Sequence, residues 1–438
     1  MTPRLQLFAS VLLLLISQLT FAADWPQWRG PDGQGHSQAT NLPQSWSETE
    51  HITWKTDIPG RGWSSPVIGN GQIWLTTAEI DESNPEERKL RLKTIANSQP
   101  VTIADHVDLR AVCLDQETGR MLHNVILIGE DHPDAIHTQN SYATPTPLLH
   151  DGRLFCHFGT HGTACIDTST GHTIWTNREL RLNHENGPGS TPVLFDDLIM
   201  FHCDGSDVQY IAALRQSNGE LAWKTKRSGD LNSNPQLQKS YATPLVVSID
   251  EQPVLISPAA YWVYGYDPAT GSELWKVKYG ELGFSNSARP LFHGQKSYIC
   301  TGFMKSKLLA IDHSNPMSPQ IAWTFNKQVS EVPSPLLIDD LLYFISDDGG
   351  IVTCVDSADG NQVWQHRIGG SHWASPLYAD GKIFFFSKEG ETVVIRPGRT
   401  FEELGRAQLD GRIMASPAAV DEALFLRTDR SLYRIENR

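Results

Sequence analysis

The sequence predicts an all-β fold: an eight-bladed β-propeller of four-stranded antiparallel blades, with the ring closed by an N-terminal strand. Three observations carry that expectation. A small residue followed by Pro and an apolar pair recurs eight times, with Pro66, Pro145, Pro192, Pro244, Pro290, Pro335, Pro376 and Pro417. Between these phrases lies a second one, in which Asp is followed by a Gly turn and then Trp, as in Cys165-Ile166-Asp167-Thr168-Ser169-Thr170-Gly171 with Trp175. The repeat unit runs to about 40–50 residues, the length of four short strands and their turns. A chain of 438 residues exceeds what one layered core usually holds, and a modular ring accommodates it.

Taken in order, the chain begins with Arg4, an apolar stretch through Ile16, and a small-residue exit ending Phe21-Ala22. That order describes a secretory signal peptide over residues 1–22, with cleavage after Ala22 and a periplasmic or extracellular destination. Residues 23–50 read as an N-terminal extension and residues 51–438 as the propeller. Pro at a strand start forfeits no ladder bond. The Asp-Gly turns that follow, such as Asp151-Gly152 and Asp380-Gly381, supply positive φ. The apolar strand, the Asp strand and the Trp strand complete each blade, and Trp is placed to fill the wedge between neighbouring sheets. The first repeat has His123 at the Trp position, and the fifth has a longer, Gly-free turn between Asp312 and Trp323. The eighth stops at Arg438 without a Trp strand, while Ile52-Thr53-Trp54-Lys55-Thr56 stands alone before the first Pro phrase. Pairing the two closes the ring and removes both free edges.

Composition narrows the function classes. The net charge of −14 argues against gripping a phosphate backbone, so no nucleic acid is expected as a partner. After the leader no apolar run reaches the ~18 residues of a spanning helix. Of six cysteines, Cys113, Cys165 and Cys354 share one position in the repeat, which reads as small buried strand residues rather than metal ligands. No adjacent pair and no C-x-x-C occurs, so the chain is not a disulfide scaffold.

The Asp…Thr-Gly…Trp phrase resembles the repeat of pyrroloquinoline-quinone (PQQ) type propellers. That superfamily includes quinoprotein alcohol dehydrogenases and the propeller subunit of the outer-membrane β-barrel assembly machinery. Trp25-Pro26-Gln27-Trp28-Arg29-Gly30-Pro31, His157 to Cys165, Asn186-Gly187-Pro188-Gly189-Ser190 and Cys203-Asp204-Gly205-Ser206-Asp207 are similar to exported PQQ-like propellers of planctomycete-type bacteria. The resemblance implies a fold and an exported location, and no reaction. Quinoprotein dehydrogenases would further imply a vicinal disulfide and a calcium set of acidic and Asn residues. No Cys-Cys pair exists here and no catalytic Asp has matching flanks.

In a four-stranded blade the loop before the first strand and the loop between the second and third gather on one face around the axis. Those loops nominate Arg61, Tyr142, Arg289, Glu331 and Trp373 from the first set, and His161, Asp204 and Asp207 from the second. Asp347, Asp348 and Lys388 occupy the same kind of loop. Mixed charge with Trp and Tyr around one mouth suits a polar ligand or a peptide. No metal site is expected: His157 and His161 flank Gly159, which rules out helical presentation, and the Asp204/Asp207 spacing is not an EF-hand. The first repeat carries an additional charged segment near residues 79–108 that should rise from the same face as a lid, a docking arm or a solvated excursion.

The sequence therefore reads as an exported, non-catalytic binding or scaffold propeller of the cell envelope, a monomer that takes an envelope protein, a polar small molecule or a glycan and needs no cofactor. The alternatives are a quinoprotein-type oxidoreductase using PQQ with calcium, and a carbohydrate-active or carbohydrate-binding propeller.

Overall fold

The computed structural model describes residues 24–95, 99–280 and 283–437. The leader read at residues 1–22 lies outside the described residues. Eight four-stranded antiparallel sheets follow one another around a ring. Their first strands are Val67–Gly69, Leu148–His150, Val193–Phe195, Leu245–Ile249, Leu291–His293, Leu336–Ile338, Leu377–Ala379 and Ala418–Val420, which open blades 1 to 8. First strands of neighbouring blades touch one another, which places them innermost around the axis. Fourth strands such as Leu221–Lys226 and Gln362–Arg367 are mostly exposed and form the outer wall.

Ring closure is as the sequence predicts. Ile52–Asp57 pairs antiparallel with Ser431–Glu436, in register from Asp57↔Ser431 through Trp54↔Arg434, and supplies the fourth strand of blade 8. The two chain ends thus share one sheet, and neither leaves an unpaired edge there.

The repeat phrases acquire definite roles. At the Asp-Gly turns both residues have positive φ, 46° and 72° at Asp151-Gly152 and 51° and 67° at Asp380-Gly381, as a two-residue hairpin of the primed type demands. Four of the blade tryptophans, Trp54, Trp175, Trp223 and Trp323, dock under a turn glycine of the next blade. The indole of Trp175 donates to Gln216 O (2.9 Å), that of Trp223 to Pro268 O (3.1 Å), and that of Trp323 to Ser357 O (3.2 Å). A Cβ added at Gly219 would meet the Trp175 ring at 2.4 Å, so only glycine lets the ring approach. Blade 5, whose turn has no Gly, breaks the pattern: Trp275 instead tilts against His313, with ring centroids 5.2 Å apart. In blade 1, His123 takes the Trp place and stacks on Trp74.

The core is a circle of interblade wedges rather than one central mass. Phe155, Trp175, Phe201 and Leu214 fill the wedge between blades 2 and 3, and Tyr343, Ile345, Phe385 and Val393 that between blades 6 and 7. All six cysteines are buried and unbridged.

Two details differ from the expectation. In blade 2 the ring position is Thr146-Pro147, two residues beyond the Ala143-Thr144-Pro145 phrase, because a Pro-Thr-Pro run makes the register ambiguous in sequence. The charged segment of blade 1 is only partly an excursion. Its second and third strands, Gln72–Glu82 and Ala104–Asp115, stay paired out to Glu82↔Ala104. An α-helix, Pro85–Leu92, sits at their tip, with Asn84 capping the N–H groups of Glu86 and Glu87. Arg88 and Arg91 tie it down through Val101 O, Ala104 O and Pro133 O.

Candidate functional site

The site is built on the innermost ring. The residue before each first-strand Pro is Ser or Thr in seven blades, and in six of these its hydroxyl accepts the N–H of the equivalent residue in the preceding blade. Ser65 donates to Thr146 (2.9 Å), Thr146 to Thr191 (3.1 Å), and Thr191 to Thr243 (3.0 Å). Beyond a gap, Arg289 donates to Ser334 (2.9 Å), Ser334 to Ser375 (2.9 Å), and Ser375 to Ser416 (3.0 Å). One gap falls at Arg289, which has no hydroxyl to offer Thr243. The other junction, blade 8 to blade 1, is bridged by Arg427. Its guanidinium donates to Ser64 O, Ser64 Oγ and Thr76 O, and burial holds it down to about 9.

The axis inside this ring is not open. The first part of the segment read from sequence as an extension over residues 23–50 closes it from Trp25 to Ser37, and the chain then runs out under blades 7 and 8. Trp25 exchanges main-chain bonds with Ile68 of blade 1, and Leu149 of blade 2 donates to Pro26 O. Arg29 donates to Pro335 O of blade 6 (2.7 Å), and Phe292 N of blade 5 donates to Gln34 Oε1 (2.9 Å). Tyr378 of blade 7 exchanges bonds with Gly35 and Ser37, and Ser37 Oγ donates to Ala419 O of blade 8. Arg289, 2% exposed, reaches inward to Trp28 O (2.9 Å) and Gln27 Oε1 (3.3 Å), with burial lowering it to about 10. This is why the fifth phrase carries Arg where the others carry a hydroxyl. The plug skirts blades 3 and 4, leaving a second cavity of about 460 Å³ between Gln27, Asp32 and Gln34 and the inner strands of those blades.

Above the plug the loops form a funnel of about 680 Å³. All eight blades contribute: Trp63, Asn140, Asn186, Tyr241, Phe284 with Phe303, Glu331 with Asp347 and Asp348, Trp373 with Lys388, and Met414 with Ser416. Trp28 forms the floor, its indole donating to Ser416 Oγ (3.3 Å). Blade 6 makes an acidic ledge. Glu331 N and Val332 N donate to the two Asp347 oxygens (2.6 and 2.8 Å), and burial raises that carboxyl to about 7, with Glu331 adding to the shift. Burial, and then Asp348, raise Glu331 as well. Lys239 is paired with Glu185 (2.8 Å), and Lys388 sits over the Trp373 ring at 4.8 Å.

Of the eight nominated residues, the structure brings Glu331 and Trp373 to this funnel. Arg61 stands beside it, donating to Thr138 O with its guanidinium 5.0 Å over the Trp63 ring. The others hold blades and loops together. Asp204, 1% exposed, receives both arms of Arg227 (2.7 and 3.0 Å), which also donates to Ser257, itself bonded to His202. Asp207 accepts from Asn183 N and Val208 N. His161 is buried, bonded to Glu130 (2.9 Å) and edge-on to Tyr142, whose hydroxyl donates to Asp134 O. Glu130 also takes Arg178 (2.8 Å), which makes it an anchor between these blades. Among the described residues no group of three or more His, Cys, Asp or Glu is arranged to hold a metal ion.

Sequence reasoning missed Trp28 as the floor and Arg289 as its support. A signal existed in both cases: two tryptophans in a seven-residue run are too apolar for a solvated extension, and Arg289 alone departs from the hydroxyl pattern.

The comparisons agree with this architecture. The family profile described as outer membrane protein assembly factor BamB matches residues 108–366, 259–398 and 348–438. No curated protein matches by sequence. Among solved structures, BamB from Moraxella catarrhalis is similar at 12% identity and TM-score 0.52, covering 77% of this chain and 95% of that one. Quinohemoprotein alcohol dehydrogenase from Comamonas testosteroni is similar at 12% identity and TM-score 0.60, covering 94% and 80%. A europium-containing methanol dehydrogenase is similar at 11% identity and TM-score 0.53, covering 93% and 90%. At these identities the structural likeness speaks to the fold alone. With its repeat phrases, its eight blades and a profile match spanning most of its length, this chain belongs to the PQQ-repeat propeller family of the BamB type.

Proposed function

We propose that the protein is a non-catalytic binding propeller of the cell envelope, exported by its N-terminal leader, which captures a polar ligand or the end of a larger partner in the loop-face funnel. One observation carries this reading: loops from all eight blades converge on a single concavity whose base is sealed by Trp28. A rigid ring that spends every blade on one mouth is suited to holding loops at fixed positions. The basic, apolar and small-residue order of residues 1–22 supports export. Among the described residues no helix is long and apolar enough to cross a membrane.

The competing oxidoreductase reading needs PQQ in the axial mouth. That cofactor is a tricarboxylate, and its recognition calls for cations. The funnel's lysines are Lys239, paired with Glu185, and Lys388, set over Trp373, and both share the mouth with Glu331, Asp347 and Asp348. This donor set does not suit three carboxylates, and no step is derived through the cofactor. Reconstitution of the purified chain with PQQ and calcium tests the choice, with no cofactor absorbance and no dye reduction expected. A complementary test fills the funnel by Ser287→Trp, at a residue of its blade 5 lining. Wild-type protein should retain material from solubilised envelopes that this variant does not. Equal retention by both would remove the funnel as the site.

A further inference from the structure

We infer that the funnel takes a neutral or amine-bearing glycan and rejects an anionic one, an assignment that rests on the binding reading above and names its ligand class. The walls and floor alternate aromatic faces with acceptors. Trp28 lies across the base, Trp373 stands in the blade 7 wall, and Phe303 rises from the lip of blade 5, 52% exposed and edge-on to Phe284. Between Phe303 and Trp373 lies the blade 6 ledge of Glu331, Asp347 and Asp348. A sugar ring matches that alternation. Its axial C–H faces stack on aromatic rings, and its hydroxyls, set on adjacent carbons, donate in pairs to the two oxygens of a carboxylate.

The ledge also sets selectivity. Among the described residues none of its three carboxylates has a Lys, Arg or His partner within 4.0 Å. Asp347 is held by main-chain N–H groups and Asp348 by the Ser371 hydroxyl (3.2 Å). A uronic or sialic acid would bring a further negative charge against this acidic ledge, whereas a hydroxyl can donate to a carboxylate oxygen and an amine can neutralise a carboxylate. The closed floor fixes the mode of binding. A long strand cannot pass through the axis, because the stretch from Trp25 to Ser37 bonds across its inner strands, so the funnel receives a chain end or a short oligomer.

The test uses the full chain and calorimetric titration with three- and four-unit chito-, cello- and xylo-oligosaccharides, against oligogalacturonates of the same length. At least one neutral or amine-bearing series should bind with a Kd of about 10 µM to 1 mM. The oligogalacturonate should bind at least tenfold more weakly. Trp373→Ala should weaken the neutral ligand tenfold or more with little change in melting temperature. Glu331→Gln combined with Asp348→Asn should narrow the gap between neutral and anionic series. Two results overturn the assignment: no neutral or amine-bearing series binds, or the oligogalacturonate binds as tightly as they do. The Ser287→Trp retention experiment separates the failures. If that variant loses envelope material while purified glycans do not bind, the glycan class falls and the binding reading stands. If it loses nothing, both fall.

Discussion

Single residues divide into those that serve the ring and those left for the mouth. Asp204 is the clearest of the first kind. Replacing it by Ala strands Arg227 in a buried wedge, and breaking such a pair costs about 3–5 kcal/mol, so a large drop in the denaturant midpoint is expected. Asp207→Ala, only three positions away, loses two exposed loop bonds and should cost about 1 kcal/mol or less. The same contrast holds for glycines. Gly381→Ala meets nothing within 4 Å and suffers only its left-handed backbone, about 1–2 kcal/mol. Gly219→Ala has a similar φ but must also push the Trp175 ring out of its seat, which adds about 1–3 kcal/mol. Equal midpoints for the two glycine variants would refute the indole-under-glycine account of blade docking.

At the scale of elements, two N-terminal pieces do different work. Ile52–Asp57 is a strand of blade 8, and its removal exposes the edge of Ser431–Glu436. Deleting residues 24–60 should therefore lower the melting temperature markedly and promote association through the freed edge. Deleting residues 24–46 alone spares the strand and removes the plug. Trp25, Leu42 and Trp46 leave their burial, each worth about 1.5–3 kcal/mol, and the funnel loses its floor. That shorter deletion should still give a closed ring by small-angle scattering, with lower stability and impaired ligand retention. An unchanged melting temperature would contradict the strand pairing in the longer truncation and the packing of residues 24–46 in the shorter one. The plug was hidden from sequence because it has no repeat to be recognised by; it is a single copy wrapped in an eightfold frame.

At the scale of the whole molecule, burial of neutral histidines predicts acid sensitivity. Burial depresses His157 and His184 to about 3 and His313 to about 4, against about 6.5 unfolded. The unfolded chain therefore binds more protons than the folded one below that value. These groups cost nothing above pH 6.5, and their stability is lost as pH falls from there toward 3–4, by up to about 1.4 kcal/mol per pH unit for each histidine. Asp347 opposes this in part: with its folded value raised to about 7, it favours the fold as pH drops through 7 toward 4. The histidines outnumber it, so the melting temperature should fall between pH 6.5 and 4.5. A flat profile over that range would contradict the assigned burial.

The amino-acid sequence by itself determined the blade count, the strand order within each blade and the closure by Ile52–Asp57. Those depend on local turn chemistry and on periodic Pro, Gly and Trp, and local rules repeat along the chain. It also implied that loops of one kind gather at one end of the ring, and the funnel lined by all eight blades lies among them. Which loop residues face the mouth was decided only by tertiary structure. His161, Tyr142 and Asp204 have the same polar character as Glu331 and Trp373, yet they turn into the interblade wedges, where partners contributed by other strands satisfy them. Whether a polar side chain is a ligand or a brace depends on neighbours tens to hundreds of residues away, and a one-dimensional pattern does not carry those distances.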